Sequence, residues 1–316
     1  MTAWTIARCS VLLAALTACK APVARQPGGG HLAPLFGPVI SREVIRGRLD
    51  AGDLVTLLVG STLVRVDLAN RRESRVPIGV PPGVGCWGLA RLDDGSTWTL
   101  KGHSALIRVE PDGRVSSEVP LPEPHVGLFG AGQLLILQKA ALTPPGPALT
   151  ARMPTAAAGD SWSGMRTRAF PGMARAQSAA LNMIACGGSA GSVRPCWFPD
   201  EAAVSLIDST GNTRRLTLPG LIVMPPETLL VAENPQRPVR DAFVDGRGRI
   251  WVLSTGAPPE MPMEVPGGWL LARYTRDGAA DGQVRFDEPV RLILRADDER
   301  VLVLTGNGTV SELKSW

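Results

Sequence analysis

Hydrophobic and polar positions alternate along this chain in short runs separated by turns of Asp, Gly and Asn. The clearest instance lies between Arg240 and Ser254. Ala242 to Val244 and Ile250 to Leu253 are β-branched or aromatic runs, and Asp245-Gly246-Arg247-Gly248 between them supplies the positive-φ positions a tight hairpin needs. Alternation of this kind predicts half-buried strands, and no long amphipathic helix is evident.

The same phrase recurs. A short apolar strand, an Asp/Gly turn, a second strand, a loop, a third strand ending in a motif such as Arg-Val-Asp, a turn and a fourth strand make one unit. The first unit runs through Ala51-Gly52-Asp53, Val55 to Val59, Thr62 to Leu68 and Glu73 to Ile78. The second carries Leu89 to Leu92, Asp93-Asp94-Gly95, Ser96 to Leu100, Ala105 to Val109, Pro111-Asp112-Gly113 and Val115 to Leu121. The third has Val126 to Phe129, Gln133 to Gln138, Ala148 to Met153 and Met165 to Phe170. The fourth is degraded from Ala179 to Cys186 and recovers at Ala203 to Asp208 and Thr213 to Leu218. The fifth adds Trp269 to Tyr274 and Gln283 to Phe286 to the hairpin above. The sixth offers Arg291 to Arg295, Arg300 to Leu304 and Thr309 to Lys314, one strand short.

Units of this kind, roughly 40 to 60 residues long, predict an all-β, six-bladed β-propeller with four-stranded antiparallel blades. Val39 to Gly47, which precedes the first unit, is expected to supply the outer strand of the last blade and so to close the ring without a frayed edge. Phrases such as Asp245-Gly246-Arg247-Gly248-Arg249-Ile250-Trp251-Val252 and Arg108-Val109-Glu110-Pro111-Asp112-Gly113-Arg114 resemble those of NHL-like and SMP-30-like propellers, over residues 39–316. The resemblance implies a fold that hosts lactonases, lyases, sensors and scaffolds, and it does not by itself imply an activity.

The amino terminus reads differently. Arg8 is followed by the apolar run Val11 to Leu16 and then by Thr17-Ala18-Cys19, too short for a membrane span and ending in small residues like an export signal. Leu16-Thr17-Ala18-Cys19 resembles the bacterial lipobox, which implies cleavage before Cys19 and acylation of that residue. An ordinary secretory signal, with Cys19 incidental, is the alternative. Residues 1–18 are thus a lipoprotein signal peptide, and 19–38, with three consecutive glycines, a flexible tether carrying an inert His31. Lys20 after the Cys favours the outer membrane by resemblance to the enterobacterial sorting rule. The expected location is the bacterial cell envelope, on the periplasmic face of that membrane.

Charge adds an exclusion. The net charge is +4 from 33 basic and 29 acidic residues, and the basic pairs Arg71-Arg72 and Arg214-Arg215 are never extended into a block. Nucleic-acid binding needs clustered charge, so no nucleic-acid partner is expected. Cys186 and Cys196 bracket a Gly-rich loop, and in an oxidising compartment a disulfide is expected, with metal binding as the rival. Cys86 is left over and expected to be buried.

In a propeller the loops from strand four to the next strand one, and from strand two to strand three, share a face, and function gathers there. The second-to-third loops of units three, four and five are long (Lys139 to Pro147, Cys186 to Pro199, Gly256 to Gly268), as is the connection Leu221 to Val239. Loop placement makes Trp87, Lys101, His103, His125, Trp197, Arg240 and Asp241 the ligand-face candidates, although for each of them inter-blade packing or surface pairing is the stronger reading. A metal-dependent hydrolase of the SMP-30-like kind implies a Glu, Asn and Asp set on inner strands, and only Asp241 is a carboxylate in a suitable place. A propeller lyase needs a general-base His, for which His125 is the candidate. The reading these observations favour is a binding or scaffolding module for a peptide, glycan or envelope protein, with no catalytic, cofactor or metal residue assigned and a divalent cation only under the hydrolase alternative.

Overall fold

The computed structural model describes residues 28–40, 43–131, 134–139, 149–152, 160–161, 184–198, 201–209, 212–221, 239–255 and 268–314. The described strands form six sheets, antiparallel except for two short parallel edge strands of the fifth, each built mainly from consecutive strands. Sheet one contains β3 (Ile45–Ala51), β4 (Leu54–Val59), β5 (Thr62–Asp67) and β6 (Arg72–Pro77). Sheet two contains β7 (Cys86–Arg91), β8 (Thr97–Lys101), β9 (Ala105–Val109) and β10 (Val115–Pro120). Sheet three contains β11 (His125–Ala131), β12 (Leu134–Lys139), β13 (Leu149–Arg152) and β14 (Asp160–Ser161).

Sheet four contains β15 (Ala185–Cys186), β17 (Arg194–Trp197), β18 (Ala203–Ile207) and β19 (Thr213–Thr217). Sheet five is built on β20 (Val239–Val244), β21 (Ile250–Thr255), β22 (Trp269–Tyr274) and β23 (Ala280–Phe286). Two short strands add to its edges, β16 (Gly188–Ser189) beside β20 and β1 (Gly28–Gly29) beside β23. Sheet six runs β24 (Val290–Ala296), β25 (Val301–Thr305), β26 (Val310–Leu313) and, outermost, β2 (Leu32–Phe36). The fold is an all-β propeller of antiparallel four-stranded units.

The core lies between sheets. Leu58 and Leu63 of sheet one meet Leu89 and Ile107 of sheet two, and Leu100 and Leu106 of sheet two meet Leu135 and Leu137 of sheet three. Phe129 and Ile136 pack on Cys196 and Ile207; Val204 and Leu206 pack on Val252 and Ala272. Trp251 and Leu271 pack on Ile293 and Val303. The ring closes where Leu302 and Leu304 of sheet six pack on Leu57 and Val64 of sheet one. Inner strands such as β8 and β25 therefore bury both faces, which is why their apolar runs are denser than a one-sided sheet requires, whereas outermost strands such as β6 and β10 are largely exposed.

The hairpin at Asp245 shows how a turn is fixed. Asp245 Oδ1 accepts the backbone N–H groups of Arg247 and Arg249, each at 2.9 Å, and Oδ2 accepts Arg249 Nε at 2.7 Å and Trp251 Nε1 at 3.0 Å. One carboxylate thus holds the turn and orients a core tryptophan.

Three expectations are corrected. The closing strand of sheet six is Leu32–Phe36, not Val39 to Gly47, so the chain has joined the fold inside the segment read as a tether. Pro34 and the preceding glycines hid it, yet an outermost strand tolerates a proline because one edge is unpaired. Val39 and Ile40 are instead buried between sheets six and one, with the Val39 N–H donating to Gly308 O at 2.8 Å, and Ile45–Ala51 is the first strand of sheet one. His31 immediately precedes the closing strand Leu32–Phe36, and its carbonyl accepts the Lys314 N–H at 3.1 Å. Finally, Arg194–Trp197 is the second strand of sheet four, so the Gly-rich loop after Cys186 joins strands one and two rather than two and three. The expected strand at 165–170, most of the other long connections (140–147, 222–238 and 256–267), and the whole amino-terminal segment with Cys9 and Cys19 lie outside the described residues.

Candidate functional site

Strand β3 carries Arg46, Arg48 and Asp50 at alternate positions. Arg48 is buried and reaches across to two other sheets. Its Nε donates to Asp50 Oδ1 at 2.9 Å, its Nη1 lies 2.9 Å from Asp241 Oδ2 on β20, and its Nη2 faces Leu294 O of β24 at 3.5 Å. Asp241 Oδ2 also accepts the Ile293 N–H of β24 at 2.7 Å. Side-chain exposures of 8% for Arg48, 5% for Asp50 and 3% for Asp241 make this a desolvated ionic cluster joining sheets one, five and six.

A disulfide between Cys186 and Cys196 joins the paired strands β15 and β17. Immediately after Cys186 the chain leaves sheet four, and Gly188 and Ser189 pair in parallel with Phe243 and Val244 of sheet five. A side chain at Gly188 would run into the Arg48 guanidinium and the Asp50 carboxylate. The backbone therefore seals the cluster on that side, where only a glycine fits. Arg194 completes the charge balance at two cations and two anions; its Nη1 donates to Gly187 O at 3.2 Å.

Burial sets the electrostatics. It pushes the Asp241 carboxyl up from 3.8 to about 6, against the opposing pull of Arg48 and the Ile293 N–H. Burial also acts to lower the Arg48 pKa, but Asp50 and Asp241 outweigh it and the net shift is upward. Arg194, buried with less compensation, is shifted down. Arg48 stays charged throughout, because a guanidinium does not deprotonate in this range.

A second group lies where strand one of sheets two and three begins. The Arg46 guanidinium sits 4.0 Å from the centre of the Trp87 ring, and Trp87 meets the His103 ring at 5.0 Å. The His103 Nδ1 lies 2.8 Å from His125 O, while the His125 N–H donates to His103 O at 2.9 Å. His125 is 3% exposed, and its Nδ1 donates to Glu123 O at 2.7 Å, so the ring serves the loop. Lys101 pairs with Glu118 at 2.8 Å. Among the described residues no group of three His, Cys, Asp or Glu converges as cation ligands.

The structure thus brings Trp87, His103 and the buried His125 together and places Asp241 in the buried ionic cluster. Trp197 is buried between sheets four and five, and Arg240 lies beside the Trp269 ring at 5.9 Å. Cys86 is buried on β7, where desolvation raises its thiol pKa. Arg46, Arg48, Asp50 and Arg194 escaped the sequence reading. The available signal was the charge at three alternate positions of Ile45–Ala51, which is unusual for an inner strand.

No family model matches the sequence, and no curated protein matches it. Solved structures do resemble the fold. A virginiamycin B lyase from Staphylococcus aureus, crystallised in a catalytically inactive form with quinupristin, matches with a TM-score of 0.51 at 10% identity over 91% of this chain and 99% of that one. A member of the DUF4221 family from Bacteroides vulgatus gives 0.55 at 14% identity, over 91% and 96% of the two chains. The calcium-binding protein regucalcin from Agrobacterium tumefaciens gives 0.50 at 11% identity, over 91% and 94%. At such identities the likeness shows a propeller of the regucalcin and virginiamycin B lyase type, and it shows the fold alone.

Proposed function

We propose that the six sheets are the blades of a six-bladed propeller, held at the periplasmic face of the outer membrane by lipidated Cys19, that binds or scaffolds an envelope partner and performs no chemistry. The observation that carries this reading is the engagement of Asp241. In a metal-dependent propeller hydrolase this carboxylate would have to face a cation, whereas its Oδ2 here accepts both the Arg48 guanidinium and the Ile293 amide. The lyase alternative is disfavoured on access: His125 is only 3% exposed, although its Nδ1 hydrogen bond to Glu123 O would leave Nε2 as the basic nitrogen.

The surface that fits a partner is the side of sheets two and three carrying Trp87, His103 and Lys101, with a peptide, glycan or protein as occupant. Its cations and stacked rings suit a ligand with acidic groups. In-cell crosslinking followed by affinity capture tests this. The expected result is one dominant envelope partner, retained by the native chain and lost in a Trp87→Ala/His103→Ala variant of unchanged melting temperature; equal recovery from both would sink the proposal. Metabolic labelling with a fatty acid, lost in Cys19→Ser, tests the anchor separately.

A further inference from the structure

The opposite side of the molecule carries a cavity of about 410 Å³ between sheets one and two. Its floor is apolar, formed by Leu49, Leu54 and Leu63, and its wall holds the guanidinium groups of Arg65, Arg91 and Arg108. The two halves differ in how far the fold satisfies them. Leu49 and Leu63 belong to the core, but Leu54 is 39% exposed, one of two large exposed hydrophobic residues among those described. Arg65 donates to Pro111 O at 2.6 Å and Arg108 pairs loosely with Glu110 at 3.6 Å, while the Arg91 side chain has no hydrogen bond or ion pair among the described residues. Asp94, the other acid in the wall, accepts the Ser96 N–H at 2.8 Å. The cavity therefore offers one unpaired cation, spare donors on two more, and an exposed aliphatic wall.

We infer that this cavity binds an aliphatic chain ending in a carboxylate. Arg91 presents the planar fork that a carboxylate accepts in two parallel hydrogen bonds, and the chain covers Leu54. The volume is within the range of small-molecule sites, and such sites combine apolar walls with a few placed polar groups. The cavity is formed by the turns joining strands one to two and three to four, so it is separate from the Trp87 surface and does not rest on that assignment. Two sources share this chemistry: a free aliphatic acid and the carboxyl terminus of a hydrophobic peptide.

Titration calorimetry on the full chain carrying Cys19→Ser, which removes the need for detergent, tests the inference with octanoate, octanol, the tripeptide Ala-Leu-Val and its carboxyl-terminal amide. At least one acid is expected to bind with Kd below about 1 mM, and its neutral analogue at least about tenfold more weakly. Octanoate alone assigns a free acid; the tripeptide alone assigns a peptide terminus; both support the shared chemistry. Arg91 is exposed, so Arg91→Ala should leave the melting temperature unchanged and weaken binding about tenfold, with Arg91→Lys intermediate. Leu54→Ser should weaken binding as well. Failure of both acids to saturate, equal binding of acid and neutral analogue, or unchanged binding in a folded Arg91→Ala variant would overturn the inference.

Discussion

Arg48 and Asp241, 193 residues apart in the chain, meet at 2.9 Å through Nη1 and Oδ2. The contact joins the first sheet to the fifth, and the Ile293 N–H on the same oxygen brings in the sixth. Sheets that are not neighbours in the chain order thereby gain a polar link, beside the approach of β16 to β3.

Replacing Asp241 separates shape from charge. Asp241→Ala leaves the buried Ile293 amide and one Arg48 donor without an acceptor. At about 1–3 kcal/mol for each unsatisfied buried group, the loss should be on the order of 3 kcal/mol in urea unfolding. Asp241→Asn keeps the acceptor for the Ile293 amide but leaves Arg48 and Arg194 facing one anion, so it should lose stability, by less than Asp241→Ala. Equal losses in the two variants would contradict the hydrogen-bonding role.

The same carboxyl has a pH signature. Its folded-state pKa is raised from 3.8 to about 6, so the native state holds the proton more tightly than the unfolded chain. The stability it contributes is full below about pH 4 and is lost as pH rises through about 6. The stability difference between the native chain and Asp241→Asn, measured by urea unfolding across that window, should fall with rising pH and then level off. A difference that rises with pH would reverse the sign and refute the burial argument.

Closure at the amino terminus is testable by truncation. A chain beginning at Ser41 lacks Leu32–Phe36, leaving the edge of β26 open and uncovering the partly buried Leu32, Leu35 and Phe36 contacts. Burial of apolar side chains contributes about 1.5–3 kcal/mol each when complete, so this chain should lose several kcal/mol. A chain beginning at Ala21 should melt like the full one. Deleting Thr309 to Trp316 removes β26 itself and should be at least as damaging.

The seal at Gly188 depends on the disulfide and on the missing side chain. Gly188→Ala should destabilise the fold, whereas Gly191→Ala, with open space around it, should be neutral by thermal melting. Opening the Cys186–Cys196 bridge with Cys→Ser substitutions should cost about 3 kcal/mol, the figure for a short loop in the chain-entropy model.

How much of this was readable in advance follows from period and contact range. The strands of sheets two and five, and those of sheets one and six other than Ile45–Ala51 and the closing strand, sit where alternation and Asp/Gly turns put them, because those signals are local. Leu32–Phe36 was not readable, since an outer strand with a proline and a glycine-rich approach resembles a linker. Arg194–Trp197 was masked in the same way by Pro195 and by the glycines before it. The buried ionic cluster was half readable: Asp241 stood out as a lone inner carboxylate. Its partner Arg48 could not be assigned, because no pattern within β3 reveals a residue 193 positions away.

The most direct test of Asp241 as a structural link rather than a metal ligand is a titration of the full chain with calcium, magnesium, manganese and zinc, following the melting temperature. With the carboxylate committed to Arg48 and Ile293, no cation should produce a saturable shift. A saturable stabilisation by any of them that disappears in Asp241→Asn would contradict the assignment and return the hydrolase reading to first place.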